Sequence, residues 1–116
     1  MVGDDNSTIK DMITLFISDT NRQWDTLQME YGNKNLLNMS EIAHKLKASI
    51  DMMDISILKQ PIRDIEKYGK ENDPDQKLQN LIRFCNDNLI KVIEQLKEEF
   101  PHLLWVSFYP TLLRLQ

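Results

Sequence analysis

His44 is the residue in this chain best placed to do chemistry. It stands at the head of the run His44-Lys45-Leu46-Lys47-Ala48-Ser49, inside a strongly periodic segment. Helical spacing puts the imidazole on the polar face of that segment and Lys47 one turn further on. A water-exposed imidazole is a nucleophile, and a neighbouring ammonium can neutralise an anionic group attached to it. That pairing suits a phosphoryl carrier. Spacing alone gives the run no special status, since an exposed histidine near a lysine is commonly plain surface.

Four helical segments are expected to position the run. The first carries Ile9, Ile13, Phe16, Thr20, Trp24, Leu27 and Tyr31 at steps of three or four. Ser7 or Asn6 is its expected N-cap and Gly32-Asn33 its stop. Weak helix formers around Thr20-Asn21 mark a place where it could break into two. The second spans about 35–53, capped by Asn33 or Asn35, with Leu36, Met39, Ile42/Ala43, Leu46, Ile50 and Met53 facing the core. The third spans about 56–70 with Leu58, Ile62, Ile65 and Gly69 in its stripe. Pro61 lies inside it and Gly69 ends the pattern. The fourth opens at Asp73-Pro74-Asp75-Gln76, read as Asp73 N-cap, proline at the first helical position and glutamine three residues after the cap. Its stripe is Leu78, Leu81/Ile82, Cys85, Leu89, Val92, Leu96 and Phe100, and Pro101 stops it. Short connections favour antiparallel neighbours, so the expected fold is an all-α, up-down four-helix bundle over residues 1–100. Residues 101–116 form an apolar C-terminal extension interrupted by Pro110. It is expected to fold back on the bundle rather than serve as a partner-binding or membrane-surface segment.

On the second helix the core stripe leaves Ser40, Glu41, His44, Lys47, Ala48 and Asp51 on the opposite face. Ala48 removes bulk beside the ring, and Ser49 turns toward the core side. The third helix has its own polar line, Lys59, Arg63, Glu66 and Lys70. With the two helices antiparallel, part of that line flanks His44. A carboxylate there would take the proton on Nδ1 and leave Nε2 free as the nucleophile.

The stretch Ile42-Ala43-His44-Lys45-Leu46-Lys47-Ala48-Ser49, followed by Ile55, Leu58, Ile62, Ile65-Glu66 and Gly69-Lys70, resembles the histidine-containing phosphotransfer (HPt) domains of two-component phosphorelays. The resemblance covers about residues 8 to 100 and includes the earlier Leu15-Phe16-Ile17-Ser18-Asp19 and Leu27. It implies that His44 is the phosphoacceptor, that Lys47 stabilises the phosphoryl group, and that Ser49 is the motif's small hydroxyl residue. It further implies that Glu66 hydrogen-bonds the histidine and that Lys70 is a basic group near the site. Ser40, Glu41, Ala48, Asp51 and Arg63 are then the expected partner surface. The sequence departs from the family at Ala48, where glycine is usual, and the extra methyl group narrows the approach beside the ring. Asp51 adds a negative charge one turn beyond Lys47. The implied partners are response-regulator receiver domains, with a hybrid sensor kinase as a further one. Mg²⁺ would belong to the receiver, so no cofactor of its own is expected, nor any enzyme activity, ATP site or autokinase step.

Other readings fit less well. A sensor-kinase dimerisation domain typically has an acidic residue after its histidine and supplies two helices. Glu41-Ile42-Ala43-His44 has the Glu-x-x-His spacing of di-iron bundles, but those sites need such motifs facing inward and this one faces outward. A non-catalytic helical interaction module is the main alternative. His102 reads as surface and Cys85 as a buried, inert thiol.

Composition agrees with these expectations. At 116 residues the chain is one domain by length, with 41% apolar and 28% charged residues. A net charge of −4 and a pI near 5.1 argue against nucleic acid as the main partner. The single cysteine excludes an internal disulfide and suits a reducing, cytoplasmic setting. Met1-Val2-Gly3-Asp4-Asp5 lacks the features of a signal peptide, no apolar run is long enough to span a bilayer, and a monomer is expected.

Overall fold

The computed structural model describes residues 2–100, with side chains from residue 8 onward. Four helices occupy them: α1 (Val2–Gly32), α2 (Leu36–Met52), α3 (Ser56–Lys70) and α4 (Gln76–Glu99). They pack as a four-helix bundle, and no strand occurs among the described residues. The expected C-terminal extension, its fold-back and His102 lie outside the described residues.

The first three helices end in the same way. Lys34, Asp54 and Asn72 take the left-handed conformation, at φ 65°, 53° and 52°. The next amide then reaches back to the carbonyl five residues earlier: Asn35 to Glu30, Ile55 to Ile50, and Asp73 to Tyr68. These are Schellman caps, which use up carbonyls the helix end would otherwise leave unpaired. Glycine usually fills the left-handed position. Here a lysine, an aspartate and an asparagine do so, while Gly32 and Gly69 lie inside their helices. Gly32 is still the last residue of α1, as expected, and α3 ends at Lys70, one residue past Gly69.

Two expected helix starts are also corrected. Asn6 and Ser7 lie within α1, which begins at Val2. In α4 the N-cap is Asp75, whose side chain accepts from the Lys77 amide at 2.8 Å, not Asp73. The Asp73 amide is engaged in closing α3 through Tyr68, so Pro74 falls before the cap and Gln76 is the first helical residue.

α1 does not break at Thr20-Asn21. Both residues face inward, 1% and 4% exposed, between the buried Ile17, Trp24 and Leu27. Packing of that inner face overrides the weak local propensity. The arrangement leaves Thr20 Oγ1 and Asn21 Nδ2 buried without a hydrogen-bond partner. Nearby, the Trp24 indole N–H donates to Asn86 Oδ1 at 2.9 Å and ties α1 to α4.

The core is continuous through all four helices, from Phe16, Ile17 and Leu27 through Met39, Leu46 and Ile50 to Ile62, Ile65, Leu78 and Leu89. Two stripe positions depart from expectation. Ile9 is 44% exposed, and Ile93 rather than Val92 is buried at the far end of α4. The α4 inner face runs 78, 82, 85, 89, 93, the spacing of one unsupercoiled helical face.

α2 and α3 form the closest pair and run antiparallel. Ser40, near the start of α2, meets Gly69 near the end of α3, and Asp51 at the end of α2 meets Arg63 in mid-α3. α3 continues through Pro61.

Candidate functional site

The His44 cluster lies on the α2–α3 seam. The closeness of the two helices comes from small residues. A β-carbon on Gly69 would stand 2.5 Å from Ser40 Cβ and 2.7 Å from the Leu36 carbonyl oxygen, so no other residue fits there without parting the helices. One turn back from Gly69 on α3 is Glu66, and one turn on from Ser40 in α2 is His44.

Glu66 is 6% exposed, although its sequence neighbours suggested a place on a polar line. It lies on the inner face with Ile62, Ile65 and Gly69, at i+4 and i−3 spacings that put it there. A buried carboxylate needs partners, and Glu66 has three. Its Oε2 accepts from His44 Nδ1 at 2.8 Å and lies 3.3 Å from Lys70 Nζ; its Oε1 accepts from Lys47 Nζ at 2.9 Å. Burial pushes the carboxyl pKa up, but the bonds from Lys47, His44 and Lys70 outweigh it and bring the group down from 4.5 to about 2. The carboxylate is therefore ionised at neutral pH and can only accept. The proton of the neutral imidazole is thus assigned to Nδ1, and Nε2 keeps its lone pair.

The His44 side chain is 65% exposed. It borders a shallow depression of about 380 Å³ lined by Ser40, Glu41, His44, Lys45, Glu66 and Lys70. Lys45 carried no expected role, since sequence spacing placed Lys47 as the cation nearest the ring. Its position next to His44 gave no helical-face signal.

The remaining expected residues divide. Glu41, Ala48 and Asp51 are exposed on α2, and Ser49 is half-buried. Ser40 is buried at 4%, with its hydroxyl donating to the Leu37 carbonyl, so it packs against α3 instead of offering a broad partner surface. Arg63 donates to Asp51 Oδ2 at 2.6 Å and to the Lys59 carbonyl at 2.9 Å. The Arg63 bond, offset in part by desolvation and aided by the charges of Arg63, Lys59 and Lys47, holds the Asp51 carboxyl below its ordinary value. The extra acidic charge is thus paired with Arg63.

A hollow of about 710 Å³ between α3 and α4 is lined by residues such as Pro61, Tyr68, Leu81 and Phe84. None of its lining residues belongs to the His44 cluster. Among the described residues no group of three or more His, Cys, Asp and Glu side chains is arranged to hold a metal ion, and no helix is long and apolar enough to cross a membrane.

Comparison with family models, with curated proteins and with solved structures finds no match to this chain.

Proposed function

We propose that this protein is a phosphoryl carrier, taking a phosphoryl group onto His44 from a receiver-domain aspartate and passing it to another receiver. One observation carries the reading: an exposed imidazole whose Nδ1 is held by a buried carboxylate, which leaves Nε2 as a nucleophile facing solvent. The resemblance of residues 42–49 and 55–70 to HPt domains supports it independently.

In the forward step the Nε2 lone pair attacks the phosphorus of an aspartyl phosphate in line. The N–P bond forms as the P–O bond to the aspartate breaks, and the aspartate leaves as a carboxylate. The ring becomes a phosphoimidazolium, and its Nδ1–H still donates to Glu66, whose negative charge offsets the new positive one. Most of the remaining charge stabilisation, with Mg²⁺, belongs to the receiver. The reverse step, onto a second aspartate, uses the same contacts.

The test is phosphotransfer from a radiolabelled receiver domain. Label is expected on the wild-type protein and absent from His44→Gln. Equal labelling of the two would refute the carrier reading and leave a non-catalytic helical interaction module.

A further inference from the structure

The three cations around Glu66 are not equivalent. Lys47 binds Oε1 alone, at 2.9 Å, and its side chain is 27% exposed. Lys70 stands 3.3 Å from Oε2, the oxygen already taken by His44 Nδ1, and its side chain is 66% exposed. A distance of 3.3 Å lies beyond the usual range for an N–H···O bond, and the Lys70 end of this i,i+4 pair is exposed to water. Lys70 is therefore held loosely and Lys47 firmly. The depression beside the ring tells the same story: Lys45 and Lys70 line it, and Lys47 does not.

Resting on the carrier reading, the geometry points to a division of labour among these lysines. Lys70, joined by Lys45, is the cation that meets a phosphoryl group on Nε2 of His44, and Lys47 is a positioning residue that acts through Glu66. This reverses the role that the HPt resemblance implies for Lys47. A phosphoryl group on Nε2 adds negative charge on the solvent side of the ring. The Lys70 ammonium gives up a long, shared contact to reach it, whereas the Lys47 ammonium would have to leave a short bond to a buried carboxylate. Such a departure would strip Glu66 of the partner that holds Oε1 among the described residues and loosen the group that holds Nδ1.

Phosphoramidate tests this without a receiver. Nε2 attacks its phosphorus, the N–P bond to the ring forms as the P–N bond to ammonia breaks, and ammonia leaves. The full chain is phosphorylated in this way and the lysine ammonium resonances are followed by NMR. Phosphorylation is expected to move the Lys70 and Lys45 signals and leave that of Lys47 in place. Lys70→Ala should slow phosphorylation by the anionic donor about fivefold, the size of one nearby charge acting in water, with the His44 tautomer unchanged. Lys47→Ala should instead reduce the Nδ1–H tautomer seen in ¹⁵N spectra, and Lys47→Arg should restore it. Movement of the Lys47 signal with Lys70 still would overturn the inference, as would a Lys70→Ala rate equal to wild type. Failure of phosphoramidate to modify His44 would overturn it together with the carrier reading. Modification of His44 without transfer from any receiver would sink the carrier reading alone.

Discussion

Gly69 and Ser40 lie so close across the α2–α3 seam that a β-carbon on residue 69 would stand 2.5 Å from Ser40 Cβ. This contact brings Glu66, one turn back on α3, within 2.8 Å of His44, one turn on in α2. The candidate site thus depends on two small residues that take no part in its chemistry.

Gly69→Ala should destabilise the protein by about 1–3 kcal/mol, the range for overpacking, even though alanine favours a helix by up to about 1 kcal/mol. Urea unfolding followed by circular dichroism reads the loss. Adding Ser40→Gly should not restore stability, because the Leu36 carbonyl oxygen remains 2.7 Å from the new methyl group.

Glu66→Ala removes the acceptor of three cationic or polar groups at once. The ¹⁵N spectrum of His44 should lose its preference for the Nδ1–H tautomer, and phosphoryl uptake should fall by tenfold or more, of order 1.4 kcal/mol. Glu66→Gln keeps an oxygen that can accept from Nδ1–H but carries no charge, so it should retain the tautomer and fall between wild type and Glu66→Ala in uptake.

The Glu66 carboxyl, brought down to about 2 in the folded chain, gives stability a pH dependence in the acid range. Its folded value lies below the unfolded one, so the unfolded state binds more protons as the pH drops. The contribution is fully present above about 4.5 and is lost as the pH falls toward about 2. A shift of that size corresponds to about 3 kcal/mol. Unfolding free energies of wild type and Glu66→Gln, measured across this window, should converge as the pH is lowered.

Cys85 is 1% exposed, and burial, with a smaller push from the Asp64 charge, raises its thiol pKa to about 12. The folded protein should resist thiol reagents near neutral pH and react fully in urea, since only the thiolate attacks. Fast labelling of the native protein would contradict the packing of α4.

Asn86→Ala should cost about 1–3 kcal/mol, because it leaves the buried Trp24 indole N–H without its acceptor across α1 and α4. Denaturant unfolding compared with Asn86→Gln, which keeps an acceptor, separates the lost bond from the lost side-chain volume.

The sequence by itself determined the four helices and most of their inner faces. Hydrophobic spacing of three and four repeats from about residue 9 to 100, and burial of such a face depends little on partner detail. It also determined that His44 lies outward and that α3 could bring a carboxylate to it. Other features were decided only by the tertiary structure. The left-handed caps fall on Lys34, Asp54 and Asn72, and the α4 N-cap on Asp75, because cap geometry is set by backbone closure and not by glycine alone. Thr20 and Asn21 stayed helical because packing covered them. Above all, the tight Gly69–Ser40 contact buried Glu66, and a buried charge must be satisfied by whatever reaches it. Which lysine that carboxylate holds closely, at 2.9 Å, and which it holds at 3.3 Å follows from how two helices meet, which no spacing along one of them contains.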